Sequence, residues 1–513
     1  MTGWEKTPPA SKIAAANRII IFFSVQNLLY YRLTRGDIVT YRSVIVTCIV
    51  CLFSHLNARP AAPENSEAVL RKASRKAPLN GWIQVHLEGT PAEIGYQHGS
   101  LLSKEIAELQ KVVALELEHD TKKDWEFFRK AAEDVLWPKV ETEYREELQG
   151  IVTGLQANGV KLDVWDVMAL NAFLELGPYY VPYWEKKQPE GDHQKHVSVP
   201  ERCSAFIATG DYTKDRKIVM AHNAWTSYLD GQRWNIAFDI VPEKGNRIFM
   251  DGLPGVIHSG DDFGINSAGM MITETTISQF SGFDPEGIPE FVRARKAMQY
   301  ASSIDEFAQI MSEGNNGGYA NNWLVGDNKT GEIASLELGL KNVTLRRTTD
   351  GYFVGANFPV SEKLVEEETT FNPKDKSSSA NARRVRWEQL MAEWKGRIDV
   401  KAGQRFLADS VDSFTGKVDP NERTLCGRID LSPRGVASWV PPFGLAGAVQ
   451  NKVANGTMAA QMTFTGAIGP LCGPPFRAAR HLAKHPEHQW AWPYLKDMPA
   501  RAWTTLQADG KGR

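Results

Sequence analysis

The amino-acid sequence changes character at residue 203, and this change constrains the fold more than any other feature. From about Thr90 to Leu176, apolar residues recur with the i, i+3, i+4 spacing of amphipathic helices, as in EELQGIVTGLQANGV and LDVWDVMALNAFLEL. After residue 203, short apolar segments alternate with polar turn residues, which is typical of strands. Helices and strands in separate blocks predict a layered α+β protein and not a wound parallel sheet.

The segments after residue 203 form predicted hairpins. CSAFIATG and KIVMAHNAW flank the turn DYTKDR, and NIAFDIVP and NRIFMDG flank EKG. NNWLVGD and EIASLEL flank NKTG, and VTLRRT and YFVGANF flank TDG. Short polar turns between apolar segments favour antiparallel neighbours in each case. Helical patterns return at 288–313 and near 381–394 and 403–412.

Composition excludes several classes of function. The 513 residues carry a net charge of −2, and 42% of them are hydrophobic. Such a chain can bury a large core, and its charge gives no reason to expect a nucleic-acid partner. No GxxxxGK[ST] or HExxH motif is present. A nucleotide loop and a zincin zinc site are therefore not predicted. Asp261 and Asp262 could chelate a cation, but two acidic residues after SG are usually solvated in a loop, so we expect neither a metal nor a cofactor.

An apolar run, VIVTCIVCLF at 44–53, is followed by small residues near Ala58 and Ala61. About ten apolar residues are too few to span a bilayer but suit a secretory signal. A second apolar stretch lies at 18–31. Residues 1–65 are therefore predicted to be a targeting region, a signal peptide or a signal anchor, that leads to a secreted, periplasmic or lysosome-like location. If the chain is exported, Cys426 and Cys472 could form a disulfide and leave Cys203 as the odd thiol.

Cys203 begins an apolar strand directly after the polar segment 183–202. Cleavage of the Arg202–Cys203 bond would give Cys203 a free α-amino group, whose reference pKa is about 7.7–8.0. Such an amine can accept the thiol proton of its own residue at neutral pH. The turns AHNAW and GYANNWLVGD offer amide donors for an oxyanion. A packed core thiol is the alternative that the residues alone leave open.

Several segments resemble known families. CSAFIATGDYTKDRKIVMAHNAWTSY, PGVIHSGDDFGINSAGMMITETTI, YANNWLVGD and the late GRIDLSP with GPLCGPPF resemble the phospholipase B-like proteins. LEGTPAEIGYQHGSLLSKEI and MALNAFLEL are similar to the autoproteolytic penicillin acyltransferase-like proteins. Both families are N-terminal-nucleophile (Ntn) hydrolases, and the likeness runs in order over residues 82–480.

The resemblance implies a four-layer αββα sandwich of the Ntn-hydrolase type. It implies an N-terminal helical precursor segment, 66–202, and a catalytic portion, 203–513, which packs with 80–180 as one globular unit. It also implies autocatalytic cleavage before Cys203, followed by attack on acyl esters or amides.

The resemblance also assigns roles to single residues. Cys203 is the expected nucleophile, His222 and Asn223 lie beside it, and Asn321 donates to the oxyanion. The other residues expected to line the substrate pocket are Trp225, Asp261, Asp262, Thr273, Glu274 and Asn322. Related acyltransferases and bile-salt hydrolases carry aspartate at the position of Trp225 and arginine or glutamine at that of His222. These departures move the likeness toward the phospholipase B-like branch.

The segment ARRVRWEQ (382–389) predicts a charged helical face. Arg384 on this helix is a candidate to meet a substrate anion or Glu274, and a solvated arginine is the alternative.

The predicted reaction is hydrolysis of an acyl ester or amide through a thioester acyl-enzyme. The expected partner is a small acyl substrate: a lipid, an N-acyl amide or a peptide amide. Acyl transfer to an amine and a non-catalytic carrier of lipid or acyl ligands are the alternatives. A papain-like protease fits poorly, because Cys203 begins a strand and not the helix that lowers a thiol pKa. A membrane is expected as a partner only through the N-terminal anchor, and the oligomeric state stays open.

Overall fold

The computed structural model describes residues 65–188, 203–436 and 439–510. The apolar runs of the predicted targeting region and Arg202, on one side of the predicted cleavage bond, lie outside these ranges. Within them, no helix is both long and apolar enough to cross a membrane.

Strands and helices follow one another in the order that the sequence periodicities predict. The strands are β1 Ser74–Arg75, β2 Ile83–Gly89, β3 Cys203–Thr209, β4 Val219–Ser227, β5 Ile236–Pro242, β6 Ile248–Gly252, β7 Gly264–Asn266, β8 Met270–Thr276, β9 Asn321–Asp327, β10 Glu332–Leu338, β11 Val343–Thr348, β12 Gly351–Gly355, β13 Val411–Asp412, β14 Lys417–Val418, β15 Ala446–Asn455, β16 Thr463–Ile468 and β17 Thr504–Gln507.

The α-helices are α1 Ser66–Lys72, α2 Pro91–Leu101, α3 Ser103–Thr121, α4 Trp125–Ala131, α5 Thr142–Ala157, α6 Val164–Asn171, α7 Phe173–Glu175, α8 Val181–Glu185, α9 Tyr228–Gly231, α10 Glu290–Tyr300, α11 Ile304–Ser312, α12 Glu362–Glu368, α13 Ser379–Glu393, α14 Val400–Leu407, α15 Gly456–Ala459 and α16 Ala478–Lys484.

Two large sheets dominate the structure. One has nine strands in the order β1-β2-β5-β6-β7-β8-β9-β10-β11, and the other has six in the order β12-β3-β4-β15-β16-β17. Neighbouring strands are antiparallel except β2 and β5, which are parallel. The α+β class predicted from the sequence is confirmed.

Apolar side chains fill three spaces between these layers. Helices α3 and α5 pack on one face of the nine-stranded sheet, where Leu109 and Ile151 meet Phe238. Ala205 and Ile207 of the six-stranded sheet share a second cluster with strands of the nine-stranded sheet. Helices α13 and α14 cover the other face of the six-stranded sheet in a third cluster. Because strand side chains alternate between faces, each sheet serves two of these clusters.

One predicted hairpin is wrong. Strand β11 pairs with β10 in the nine-stranded sheet, whereas β12 pairs with β3 in the six-stranded sheet. The TDG turn therefore carries the chain from the edge of one sheet to the edge of the other. A short polar turn reverses the chain in both cases, so its sequence alone does not select the pairing.

The segment GTPAEIGYQHG brings two helices into unusually close contact. A Cβ added at Gly95 or Gly99 of α2 would overlap backbone atoms of α5 around Glu147 and Ile151. Gly150 and Gly154 of α5 face α2 in the same way. Glycines at the crossing therefore set the helix spacing, which holds α2 and strand β2 in fixed positions.

Candidate active site

Cys203 lies at the head of β3, between β4 and β12, and its side chain is buried. It is the only free cysteine of the described residues, because Cys426 and Cys472 form a disulfide. The disulfide that export would allow is thus present. The thiol is surrounded by polar groups rather than by aliphatic side chains alone.

Asn357 and Arg383 hold the backbone of Cys203. The Cys203 N–H donates to Asn357 Oδ1 at 3.3 Å, and Arg383 Nη1 donates to the Cys203 carbonyl at 2.6 Å. Arg383 also donates to Asn357 Oδ1 at 2.9 Å and to Ser204 Oγ at 3.0 Å. Because Asn357 Nδ2 donates to the Thr276 carbonyl, its oxygen is the atom that faces Cys203. Both backbone polar atoms of Cys203 therefore have fixed partners.

The thiol itself faces Glu274. Cys203 Sγ donates to Glu274 Oε1 at 3.9 Å, and Tyr319 Oη donates to the same oxygen at 3.1 Å. Burial raises the pKa of the Cys203 thiol well above its usual value, and the charges of Glu274 and Asp261 raise it further. In the uncleaved chain Cys203 is therefore a neutral thiol.

His222 lies in a polar layer between the two sheets. It pairs in register with Ala205 of β3 and with Lys452 of β15. Its Nδ1 lies 3.6 Å from Asp261 Oδ2, and neither ring nitrogen makes a hydrogen bond. Burial and the nearby charge of Lys452 lower the pKa of His222 to about 3, so the imidazole is neutral.

Lys452 balances two carboxyl groups in this layer. Its ammonium group bonds both Asp261 and Asp251, the latter at 2.9 Å. Burial and the Asp261 charge raise the pKa of Asp251 to about 8. The buried ammonium group thus faces two carboxyl groups, and this pairing limits the cost of burying the three charged groups.

Asn223 links Cys203's neighbours to the disulfide region. Its Oδ1 accepts from the Ser204 backbone at 3.1 Å and from Trp225 Nε1 at 3.0 Å, and its Nδ2 donates to the Leu425 carbonyl at 2.6 Å. The guanidinium of Arg383 lies 4.1 Å from the centre of the Trp225 ring. The Trp225 ring therefore packs against the guanidinium group that bonds the Cys203 carbonyl.

Asn321 and Glu274 lie on the paired strands β9 and β8. In the amide orientation that satisfies both polar atoms, Asn321 Nδ2 donates to Glu274 Oε2 at 2.8 Å and to the Ala320 carbonyl at 3.1 Å. An oxyanion would compete with Glu274 for this donor. The sequence prediction of an oxyanion donor is therefore retained only as a proposal.

The other predicted pocket residues lie in different surroundings. Asn322 accepts from Ser335 Oγ at 2.7 Å, and its strand alternation places it on the face opposite Asn321. Among the described residues, the buried hydroxyl of Thr273 has no hydrogen-bond partner, and Asp262 faces His258.

Arg384, the arginine that the sequence analysis selected, lies 3.6 Å from Glu388, one helical turn away. The arginine that contacts Cys203 is its neighbour, Arg383.

Sequence reasoning missed Arg383, Asn357 and Lys452. A signal for Arg383 exists, because it shares the buried helical face with Trp387 and Leu390 at the i+4 and i+7 positions. A lysine inside the apolar strand β15 is likewise unusual. Asn357, with its left-handed backbone (φ 69°), gives no local signal of its contact with Cys203.

Comparisons with known proteins show which families the chain is similar to. Residues 105–338 match the family model named Phospholipase B. A putative phospholipase B-like 1 from Caenorhabditis elegans is 25% identical over 386 residues, 67% of this chain and 66% of that protein. Residues 105–338 of this chain are therefore similar to the phospholipase B family. The family match contains Cys203, His222 and Glu274 but ends before Arg383.

Two further relatives cover less of the chain. A putative phospholipase B-like 2 from Mus musculus is 26% identical over 337 residues, 55% of this chain and 56% of that protein. An uncharacterized protein from Archaeoglobus fulgidus is 27% identical over 264 residues, 49% of this chain and 42% of that protein. The chain thus spans from 42% to 66% of the length of these curated relatives.

Proposed function

We propose that this chain is a self-cleaving N-terminal cysteine hydrolase that acts on acyl ester or amide bonds of lipid-like substrates. The observation that carries the proposal is the surroundings of Cys203. Asn357 faces its backbone nitrogen, Arg383 its carbonyl and Glu274 its sulfur. The backbone atoms of any buried residue need partners, so the contact that distinguishes Cys203 from a packed structural thiol is the Glu274 carboxyl group beside its sulfur.

The first step of the proposal is maturation. Glu274 accepts the Cys203 thiol proton, and the sulfur attacks the carbonyl carbon of residue 202. The peptide nitrogen of Cys203 leaves with a proton, and a thioester forms to the preceding segment. Water then hydrolyses the thioester, which releases the carboxylate of residue 202 and regenerates the Cys203 thiol beside the new α-amine. Because burial keeps the Cys203 thiol protonated, this step needs a base, and Glu274 is the carboxyl group that the sulfur contacts, at 3.9 Å.

The second step is turnover of substrate. The freed α-amine, held by Asn357, accepts the thiol proton while the sulfur attacks the acyl carbonyl. The ester or amide leaving group departs with a proton, and water hydrolyses the thioester acyl-enzyme. Asn321 is proposed as a donor to the oxyanion, and its release from Glu274 would accompany substrate entry. Removal of one such donor costs about 100–1000-fold in rate.

The relatives and the layers support the substrate class and the fold proposed. The names of two relatives specify phospholipase B-like proteins, which supports an acyl ester of a lipid. The order of helices, nine-stranded sheet, six-stranded sheet and helices suits an αββα sandwich of the Ntn type. The Cys426–Cys472 disulfide supports an oxidising, exported location.

Intact mass and N-terminal sequencing of the purified protein test the proposal. Wild-type protein should yield one fragment that begins at Cys203, and Cys203→Ala should remain one chain. Cys426→Ala serves as the matched cysteine control and should still cleave. A wild-type chain that stays intact yet hydrolyses acyl esters would overturn the maturation step, and an intact, inactive wild type would overturn the proposal as a whole.

A further inference from the structure

Three groups of histidine, cysteine and acidic side chains in the described ranges have ligand atoms within 4.8 Å of one another. The first is Cys203 with His222 and Glu274, which belongs to the candidate active site. The second is His86 with Asp239 and Asp509. The third is His258 with Asp262 and Glu290, which the proposed reaction does not use.

The third group is buried, and outside the group itself its side chains have few hydrogen-bond partners among the residues that the structure describes. His258, Asp262 and Glu290 are 2%, 2% and 1% exposed. Among the described residues no hydrogen-bond partner satisfies the ring nitrogens of His258, Oδ2 of Asp262 or the carboxyl oxygens of Glu290, apart from the carboxyl groups of Asp262 and Glu290, which face each other. His258 Nδ1 lies 3.6 Å from Asp262 Oδ1. Since buried polar atoms are nearly always partnered, five such atoms in one cluster call for a ligand or a shared proton.

In the second group the buried carboxylate of Asp239 has protein donors, although His86 Nε2 makes no hydrogen bond among the described residues. Asp239 accepts from His86 at 2.7 Å and from two nitrogens of Arg247 at 2.8 Å each. The backbone N–H of Asp509 donates to the same carboxylate at 2.8 Å. Because protein donors already bond both oxygens of the Asp239 carboxylate, we do not propose a metal site for the second group.

The backbone around the third group is held in place. The Gly255 N–H donates to His98 Nε2, and the Ile257 N–H donates to Asn171 Oδ1, each at 2.8 Å. The Phe263 N–H donates to Ser259 Oγ at 3.0 Å. His258 and Asp262 therefore sit on a loop that is fixed on both sides.

Glu290 comes from a different support, since it is the first residue of α10. The third group thus joins the loop between β6 and β7 to a helix, and its side chains, rather than its backbone, have few hydrogen-bond partners among the described residues.

Charge points to a cation at this position. Asp262 and Glu290 lie near a further buried carboxyl group, Glu175, and one arginine, Arg293. The Arg293 guanidinium donates its hydrogen bonds to the carbonyls of Ile288 and Met311 and to Asn316 Oδ1. Among the described residues no lysine or arginine bonds a carboxyl oxygen of Asp262 or Glu290. Buried carboxyl groups without such a partner either hold a proton or, when ionised, coordinate a metal.

We propose that His258, Asp262 and Glu290 bind one divalent transition-metal ion, Zn²⁺ or Mn²⁺. An imidazole nitrogen with two carboxylates is a donor set that suits these ions better than Ca²⁺ or Mg²⁺, which prefer oxygen ligands alone. The ion ties the β6–β7 loop to α10. The same loop carries Asp261, the partner of Lys452 and His222, so the metal fixes one wall of the polar layer beside the active site. The inference does not depend on the proposed hydrolase activity.

Metal analysis of the purified full chain tests the site. The protein is analysed by inductively coupled plasma mass spectrometry as purified, and again after incubation with ZnCl₂ or MnCl₂ and desalting. We expect about one ion per chain in one of these samples. Glu290→Gln and Asp262→Asn keep the side-chain shape and remove a charged ligand, so each should lower metal affinity by at least about 10–100-fold. His119→Asn, at an exposed His119–Asp120 pair, is the control and should retain the ion.

Thermal unfolding and circular dichroism show whether each variant is folded. If Glu290→Gln fails to fold, Asp262→Asn and His258→Gln provide the same comparison, and the metal content of wild type is independent of all three. Wild type that holds neither Zn²⁺ nor Mn²⁺ after incubation would overturn the proposal, because Asp262 and Glu290 would then share a proton. Folded variants that retain the ion as tightly as wild type, or a preference for Ca²⁺ or Mg²⁺, would overturn it too.

Discussion

The backbone nitrogen of Cys203 lies 3.3 Å from Oδ1 of Asn357, whose orientation is fixed by the Thr276 carbonyl and by Arg383. In the uncleaved chain this is an ordinary amide hydrogen bond. In the proposed mature enzyme the same oxygen accepts from the α-amine that acts as the base. Asn357 therefore connects the structure of the intact chain with the proposed chemistry of the cleaved one.

Asn357→Asp tests this connection. A carboxylate beside the α-amine favours its protonated form, so the amine becomes available as a base only at higher pH. Opposite charges at this range shift a pKa by about 1–3 units, and Arg383 reduces the effect. We expect the acidic limb of the kcat/KM profile to move upward by about one pH unit. Asn328→Asp is the control and should leave the pH profile unchanged. The Asn328 amide is partly exposed and donates to the Gly456 carbonyl, not to Cys203. If the acidic limb of the kcat/KM profile of Asn357→Asp stays at the wild-type pH, the α-amine is not the base.

Arg383 and Arg384 offer a matched pair of substitutions on one helix. Arg383→Lys keeps the charge but loses the fork that contacts the Cys203 carbonyl, Ser204 and Asn357. Because small displacements of a reacting group cost about 100-fold, self-cleavage should slow by at least that factor. Arg384→Lys should cleave as wild type does, since Arg384 contacts Glu388. The half-time of fragment formation on denaturing gels measures both, and equal rates would contradict the role of Arg383.

The two arginines also show where sequence reasoning succeeds and where it stops. Periodicity located helix α13, and the buried positions Trp387 and Leu390 would have selected Arg383 over Arg384. Which group the arginine contacts depends on β3, far away in the sequence, and no local pattern reveals it. Strand alternation likewise predicted β11 and β12, but their separation into two sheets depends on β3 offering an edge.

Long-range polar clusters are the least predictable part of the site. The resemblance selects His222, yet its neutral state follows from burial and from the charge of Lys452, which lies 230 positions later and directly opposite in the register. The adjacent residues Asp261 and Asp262 were grouped as pocket residues. In the structure they diverge, Asp261 toward Lys452 and Asp262 toward His258. A left-handed backbone at Asp262 (φ 53°) contributes to this divergence, and the sequence does not show it.

Buried neutral histidine predicts acid sensitivity. His98 Nε2 accepts from the Gly255 N–H at 2.8 Å, and burial lowers its pKa to about 3. Between pH 6.5 and 3 the unfolded chain binds a proton there and the folded chain does not, so stability falls as the pH falls. The loss is about 1.4 kcal/mol per pH unit for this group. His98→Gln should remove it, and the stability of the variant relative to wild type should rise by that amount per unit of acidification. Urea unfolding at pH 6.5, 5.5 and 4.5 gives the free energy of unfolding of both proteins. If it changes with pH by the same amount in His98→Gln as in wild type, the prediction is contradicted.

The Cys426–Cys472 disulfide closes a loop of 46 residues in sequence separation. Chain entropy predicts about 4 kcal/mol of stabilisation for a loop of this size, within a usual range of about 2–5 kcal/mol. The double substitution Cys426→Ala, Cys472→Ala should lose most of it in chemical unfolding. A reducing agent should destabilise wild type but not the double variant, which is the internal control. Equal stability of the two oxidised proteins would contradict the prediction.

Gly95 sits where α2 crosses α5, and a Cβ there would overlap the Glu147 carbonyl and the Ile151 nitrogen. Since these are backbone atoms of a packed helix, they cannot rotate away as a side chain can. Gly95→Ala must therefore separate the helices, which costs at least about 1–3 kcal/mol. Gly510→Ala, with no atom within 4 Å of the added Cβ, should leave the stability unchanged. Urea unfolding of both variants measures the difference, and a Gly95→Ala protein as stable as wild type would show that the helix spacing is set by something other than the glycines.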